Sequence, residues 1–151
     1  MKYLIFLLLL FTNPALACKS YIIGFRGLDS AFDHSAFYDY AKKRTDCTVV
    51  FNHNEYKRAI QFVNRLRVPY ELYGYSAGAV TAMTVVKRAK RMPRYVLTIG
   101  AYYSTDVDFY KYEIDYDNFF DASGAGQKSP GIHVKNVAHD RIQRYVTEFF
   151  K

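Results

Sequence analysis

The stretch YELYGYSAGAVTAM, Tyr70 to Met83, places Ser76 between Gly74 and Gly78. A serine hydroxyl is almost wholly protonated near neutral pH, so it becomes a nucleophile only when a nearby base takes its proton. Gly-x-Ser-x-Gly is the spacing of a sharp strand-to-helix turn that presents the hydroxyl, because side chains two residues either side would collide with the turn and the neighbouring strand. The alternative is an ordinary small residue at the start of a Gly/Ala-rich helix. The pentapeptide alone does not separate the two, but its surroundings favour the first. Residues 70–75 read as a strand and 77–91 as a helix, with Ala79, Met83, Val86 and Lys90 along one face. The first turn of that helix would aim N–H groups at an oxygen reacting at Ser76. Pro93 stops it.

Four histidines compete for the role of base. His139, in VKNVAHDRI, directly follows the last strand-like run and leads into the final helical segment. In a parallel sheet all strand ends open on one edge, so a histidine there can reach a serine at the end of another strand. His34 and His53 fall early in the chain, and His133 sits inside a strand-like run, where it reads as a packing or surface residue. An imidazole acting as base needs a carboxylate to fix its tautomer and stabilise the imidazolium. Asp121 closes the penultimate strand and is the first choice, with a cap or turn aspartate as its other reading. Asp106 and Asp108 follow the preceding strand and compete with it, while Asp140 is too close to His139 in sequence for comfortable geometry.

These residues need a frame, and the sequence after Cys18 supplies one by alternating short β-rich runs with helix-length segments. That is the pattern of a mostly parallel sheet covered on both faces, a three-layer α/β sandwich of about six strands. The expected strands are 20–25, 47–52, 70–75, 94–102, 118–121 and 132–137, and the expected helices 31–44, 54–67, 77–91 and 140–150. Asn54 is the candidate N-cap of the second helix, and Pro69 restricts the chain ahead of the third strand. The Tyr- and Asp-rich segment between 102 and 120 lacks clear periodicity. It reads either as a flap over the site, receiving an acyl chain or a sugar, or as an irregular loop whose aromatics complete a small core.

The chain begins with Lys2, an apolar block from Tyr3 to Phe11 and Ala15-Leu16-Ala17, the layout of a secretory signal peptide over 1–17 ahead of one domain, 18–151. Export favours pairing of Cys18 with Cys47, each just ahead of a strand and so on the same edge if the two strands are neighbours. Acylation of Cys18 as an N-terminal lipoprotein is the other reading. The net charge is +7, and basic clusters occur at KKR (42–44) and KRAKR (87–91), which read as a solvated helix face or as attraction to an anionic membrane or cell-wall surface. No nucleic-acid signature accompanies them. The cysteines and histidines have no zinc-like spacing, so neither metal nor cofactor is expected.

Strand, Gly-x-Ser-x-Gly, helix, then an aspartate and a histidine after later strands, in the order Ser76, Asp121, His139, resembles the α/β-hydrolase superfamily in a reduced form close to cutinase-like esterases and lipases. IIGFRGLDS resembles that family's His-Gly-x turn, with Arg26 where the histidine usually stands. The resemblance implies an oxyanion hole formed by the N–H groups of Leu28 and Ala77, and a small-molecule ester, a lipid or another acylated compound as substrate. The family's usual first two antiparallel strands are absent, and the short Asp121–His139 interval leaves little room for a cap domain. A non-catalytic secreted protein that keeps the fold and binds envelope lipid or glycan is the alternative function.

Overall fold

The computed structural model describes residues 18–28, 32–45, 47–101, 115–120, 131–134 and 136–150. Among them run β1 (Tyr21–Phe25), α1 (His34–Ala41), β2 (Cys47–Phe51), α2 (Tyr56–Arg65), β3 (Tyr70–Tyr75), α3 (Ala77–Arg88), β4 (Tyr95–Ile99), β5 (Asp115–Phe120), β6 (Ile132–His133) and α4 (Ile142–Phe149). The six strands form one sheet in the order β2-β1-β3-β4-β5-β6, and every pairing is parallel. The chain moves outward from β1 to β2, crosses back over β1 to β3, and then proceeds to the other edge. The strand order therefore reverses between β1 and β3, and in open parallel sheets the crevice above such a reversal is where ligands bind.

Strand alternation divides the core into two layers. Ile23, Phe25, Tyr70, Leu72 and Val96 pack against α2 and α3, while Ile22, Tyr73, Tyr75, Leu97 and Ile99 pack against α1 and α4. The expected three-layer sandwich forms. On α3 the apolar stripe is wide, from Ala79 through Ala82 and Met83 to Val85 and Val86, because the helix lies across β1, β3 and β4 together.

Several boundaries differ from the sequence reading. Helix α1 begins at His34, where the Asp33 carboxylate accepts the Ala36 N–H at 2.9 Å as an N-cap. Asn54 does not cap α2. Glu55 occupies the N-cap position without a side-chain cap bond, and its carboxylate instead accepts the Asn52 N–H at 2.8 Å, closing the turn after β2. Helix α3 ends at Arg88, short of Arg91, and Lys90 lies beyond it. Competing partners hold that segment: the Asn64 side-chain oxygen accepts the Lys90 N–H at 2.8 Å, and the Tyr70 hydroxyl donates to the Arg91 carbonyl. Strand β5 starts at Asp115, three residues early, and β6 is only Ile132–His133. The Tyr95 hydroxyl donates to the Asp117 carboxylate, so the polar start of β5 is satisfied within the sheet. Burial and this bond to Asp117 hold the Tyr95 phenol proton well above its ordinary range.

Cys18 and Cys47 are joined as a disulfide, with Cα atoms 5.7 Å apart. The β1–β2 register pairs Tyr21 with Cys47, so both cysteines lie at the N-terminal edge of the sheet. The bridge closes a sequence separation of 29 residues, which in the chain-entropy account stabilises the fold by about 3.6 kcal/mol. Replacing Cys47 with serine, or adding reductant, is expected to lower unfolding stability by that amount in urea titrations; an unchanged midpoint would show that the bridge does not constrain the unfolded chain.

Candidate functional site

Ser76 follows the last residue of β3 and is the N-cap of α3, with φ 55° and ψ −122°. That backbone conformation is costly for any residue with a Cβ, and it survives only where the surroundings enforce it. Three close approaches enforce it here. A Cβ added at Gly78 would lie 2.2 Å from the Phe25 carbonyl oxygen, and one at Gly74 would lie 2.6 Å from Ala79 Cα. A Cβ at Gly27 would meet Ser76 Cβ at 2.9 Å and Ser76 Oγ at 3.4 Å. The start of α3 is thus pressed against the ends of β1 and β3, and the turn after β1 lies on the serine itself. The Ser76 N–H donates to the Ile99 carbonyl at 2.8 Å, fixing the turn to β4 as well. Ser76 is 4% exposed.

The other site residues fall around this turn. Leu28 follows Gly27 directly and is 57% exposed. Ala77 is the first residue of α3, where a helix leaves its N–H groups without intrahelical acceptors. His139 lies between β6 and α4. Its ring stacks on Tyr75 with centroids 5.0 Å apart, and its carbonyl accepts the Tyr75 hydroxyl at 2.8 Å. Because Tyr75 directly precedes Ser76, the residue that ends β3 in the sharp turn also fixes the histidine segment. Tyr75 was not singled out from the sequence; the alternation of β3, which turns it toward the α1 and α4 layer, is the signal that could have found it.

His34 packs against Phe32 and Tyr38 at the start of α1, His53 lies in the turn after β2, and His133 belongs to β6. Asp121, Asp106 and Asp108 lie outside the described residues, as do the leader and residues 102–114 of the Tyr-rich segment. Beside the Gly27 turn opens a crevice of about 230 Å³ lined by Arg26, Gly27, Asn52, His53 and Asn54.

No protein-family model matches the chain, and no curated protein does. Among solved structures it is similar to a candidate hydrolase of the alpha/beta superfamily from Xanthomonas campestris pv. campestris, at 11% identity and a TM-score of 0.53, over 87% of this chain and 98% of that one. It is also similar to a candidate YdeN-like hydrolase from Pectobacterium atrosepticum, at 13% identity and a TM-score of 0.52, over 87% of this chain and 90% of that one. The architecture is that of the α/β hydrolases, in a reduced form. At these identities the likeness concerns the fold alone.

Two predictions follow from the turn. If the serine backbone stores strain, Ser76→Gly is expected to be more stable than Ser76→Ala by about 1–2 kcal/mol in urea unfolding, since glycine adopts positive φ freely; equal stabilities would mean that the turn is relaxed. Tyr75→Phe keeps the ring on His139 and removes the hydroxyl that its carbonyl accepts, so it should cost about 1 kcal/mol and hasten hydrogen exchange over residues 136–140. Exchange unchanged there would show that stacking alone holds the segment.

Proposed function

We propose that the chain is an exported serine hydrolase that cleaves carboxylic esters or thioesters. The observation that carries this reading is the backbone of Ser76, held at positive φ on a strand-to-helix turn with the β1 turn packed on its Cβ and Oγ. Strain of this kind persists where presenting a side chain is its use. In the proposed reaction, Ser76 Oγ attacks the acyl carbon and its proton passes to His139. The imidazolium returns that proton to the departing alcohol or thiol, leaving an acyl-serine. Water, deprotonated by His139, then releases the acid and restores the serine. Asp121 orients the imidazole, with Asp106 and Asp108 as its rivals, and the Leu28 and Ala77 N–H groups hold the oxyanion. One such donor is typically worth about 3 kcal/mol in the transition state.

The disulfide favours an oxidising compartment, and it occupies the Cys18 sulfur that a lipid thioether would need. Secreted or periplasmic protein without an N-terminal lipid is therefore the proposed state.

A second reading, a non-catalytic protein binding envelope lipid or glycan, is favoured by the placement of charge. Lys42, Lys43 and Arg44 after α1, Arg65 and Arg67 around the end of α2, and Lys90, Arg91 and Arg94 after α3 all belong to segments that lead into strand starts. They share the N-terminal edge of the sheet, opposite Ser76, where an anionic surface would be attracted.

A fluorophosphonate probe separates the two. Covalent labelling of the wild type is expected, abolished in Ser76→Ala and reduced at least about a thousandfold in rate in His139→Ala. Folded wild-type protein that takes no label would sink the hydrolase and leave the binding reading.

A further inference from the structure

We propose that the crevice beside Ser76 is an anion-binding subsite, and that it selects esters or thioesters whose acyl part carries a carboxylate or phosphate group. The proposal rests on the hydrolase reading for its catalytic consequence, whereas binding of the anion does not need it. Among the described residues, every side chain lining the crevice can donate a hydrogen bond: Arg26, Asn52, His53 and Asn54. Among the described residues no carboxylate lines it. The acid of the same turn, Glu55, is directed elsewhere: it accepts the Asn52 N–H and pairs with Arg58. Those contacts, the Asn52 N–H foremost, hold its carboxyl below the ordinary range, so it stays a partner of its own neighbours.

The walls are fixed before any ligand arrives. The Arg26 N–H donates to the Phe51 carbonyl at 3.0 Å, which ties the end of β1 to the end of β2. The Thr81 hydroxyl on α3 donates to the His53 carbonyl, which ties the far wall to the helix that begins at Ser76. Gly27 is both a wall of the crevice and the residue packed on Ser76, so one residue separates a group held there from the serine. A guanidinium with these further donors suits a planar or tetrahedral oxyanion, which accepts several bonds at once.

Sheet order decides which half of the substrate is involved. Ser76 ends β3, the crevice stands at the ends of β1 and β2 on one side, and the His139 segment arrives from β6 on the other. The departing oxygen or sulfur must face the imidazolium that protonates it, so the group on the β2 side belongs to the acyl half.

The test compares kcat/KM for phenyl hemiglutarate with phenyl butyrate, which places charge on the acyl side, and for 4-acetoxybenzoate with phenyl acetate, which places it on the alcohol side. At low ionic strength the acyl-side ratio is expected to be about tenfold or more in the wild type. It should fall toward one in Arg26→Gln and recover in part in Arg26→Lys, whereas the alcohol-side ratio stays near one. A wild-type acyl-side ratio near one, or one unmoved by Arg26→Gln, would overturn the proposal; preference confined to the alcohol-side pair would overturn its placement. Calorimetry with glutarate and with inorganic phosphate on Ser76→Ala reads binding without turnover and shows which oxyanion the crevice takes. Saturable binding of either ion that is lost when Arg26→Gln is added supports the subsite even if fluorophosphonate labelling fails. No binding of either rejects it. Arg26→Gln keeps the backbone N–H that bonds Phe51, and a thermal melt confirms that the variant is folded.

Discussion

The site depends on one close approach, the backbone of α3 at Gly78 against the Phe25 carbonyl at the end of β1. No side chain fits between them, so the helix begins immediately after β3 rather than after a relaxed loop. Ser76 must absorb the whole change of direction in a single residue, which is why it alone of the elbow residues takes positive φ. The same contact brings the turn after β1 onto the serine, since Arg26 and Gly27 follow Phe25 directly. Ser76, the Gly27 turn and the donor-lined crevice thus share one packing constraint. A gap of even one methyl group at position 78 would displace all three together.

The elbow was legible in the sequence because its requirements are local. Two glycines, the strand before and the helix after are all within the stretch from Tyr70 to Arg88, and each obeys a short-range rule. The sheet as a whole was legible for a related reason: buried parallel strands such as YVLTI are continuous apolar runs too short for a helix, with Pro93 just before this one. Boundaries were lost where tertiary partners overrode propensity. Asn54 is a better cap by type than Glu55, yet Glu55 is bonded back to Asn52 and sets the start of α2. The polar opening of β5, Asp-Tyr-Asp, does not read as a strand until Tyr95 supplies a partner for Asp117. Of the candidate site, the placement of His139 after the last strand was readable from the common direction of the strands. Its attachment to Tyr75 was not, because a tyrosine on a buried strand looks like core whether or not its hydroxyl reaches across to a loop.

The two sides of Ser76 are built from different materials. Toward β6, aromatic stacking and a single hydroxyl-to-carbonyl bond hold the histidine segment against Tyr75. Toward β2, polar groups line an open crevice, and the bonds that frame it run between backbone atoms and from Thr81. The stacking and the hydroxyl-to-carbonyl bond fix the orientation of the histidine ring relative to the turn at Ser76. A wet, donor-rich side suits recognition, where a charged group exchanges its hydration for fixed donors.

The disulfide bears on the crevice even though it lies at the opposite edge. Strand β2 is the edge of the sheet, paired only with β1 over five residues, and a short edge pair of this kind frays readily. Cys18–Cys47 closes the pair at its start, and the Arg26 N–H bonded to the Phe51 carbonyl closes it at its end. With both ends held, slippage by one residue is blocked. Such a slip would turn the side chains of β2 to the opposite face and move Asn52 and His53 away from Arg26. The covalent bond in the N-terminal edge therefore preserves the spacing of side chains about five residues away, at the edge where Ser76 stands.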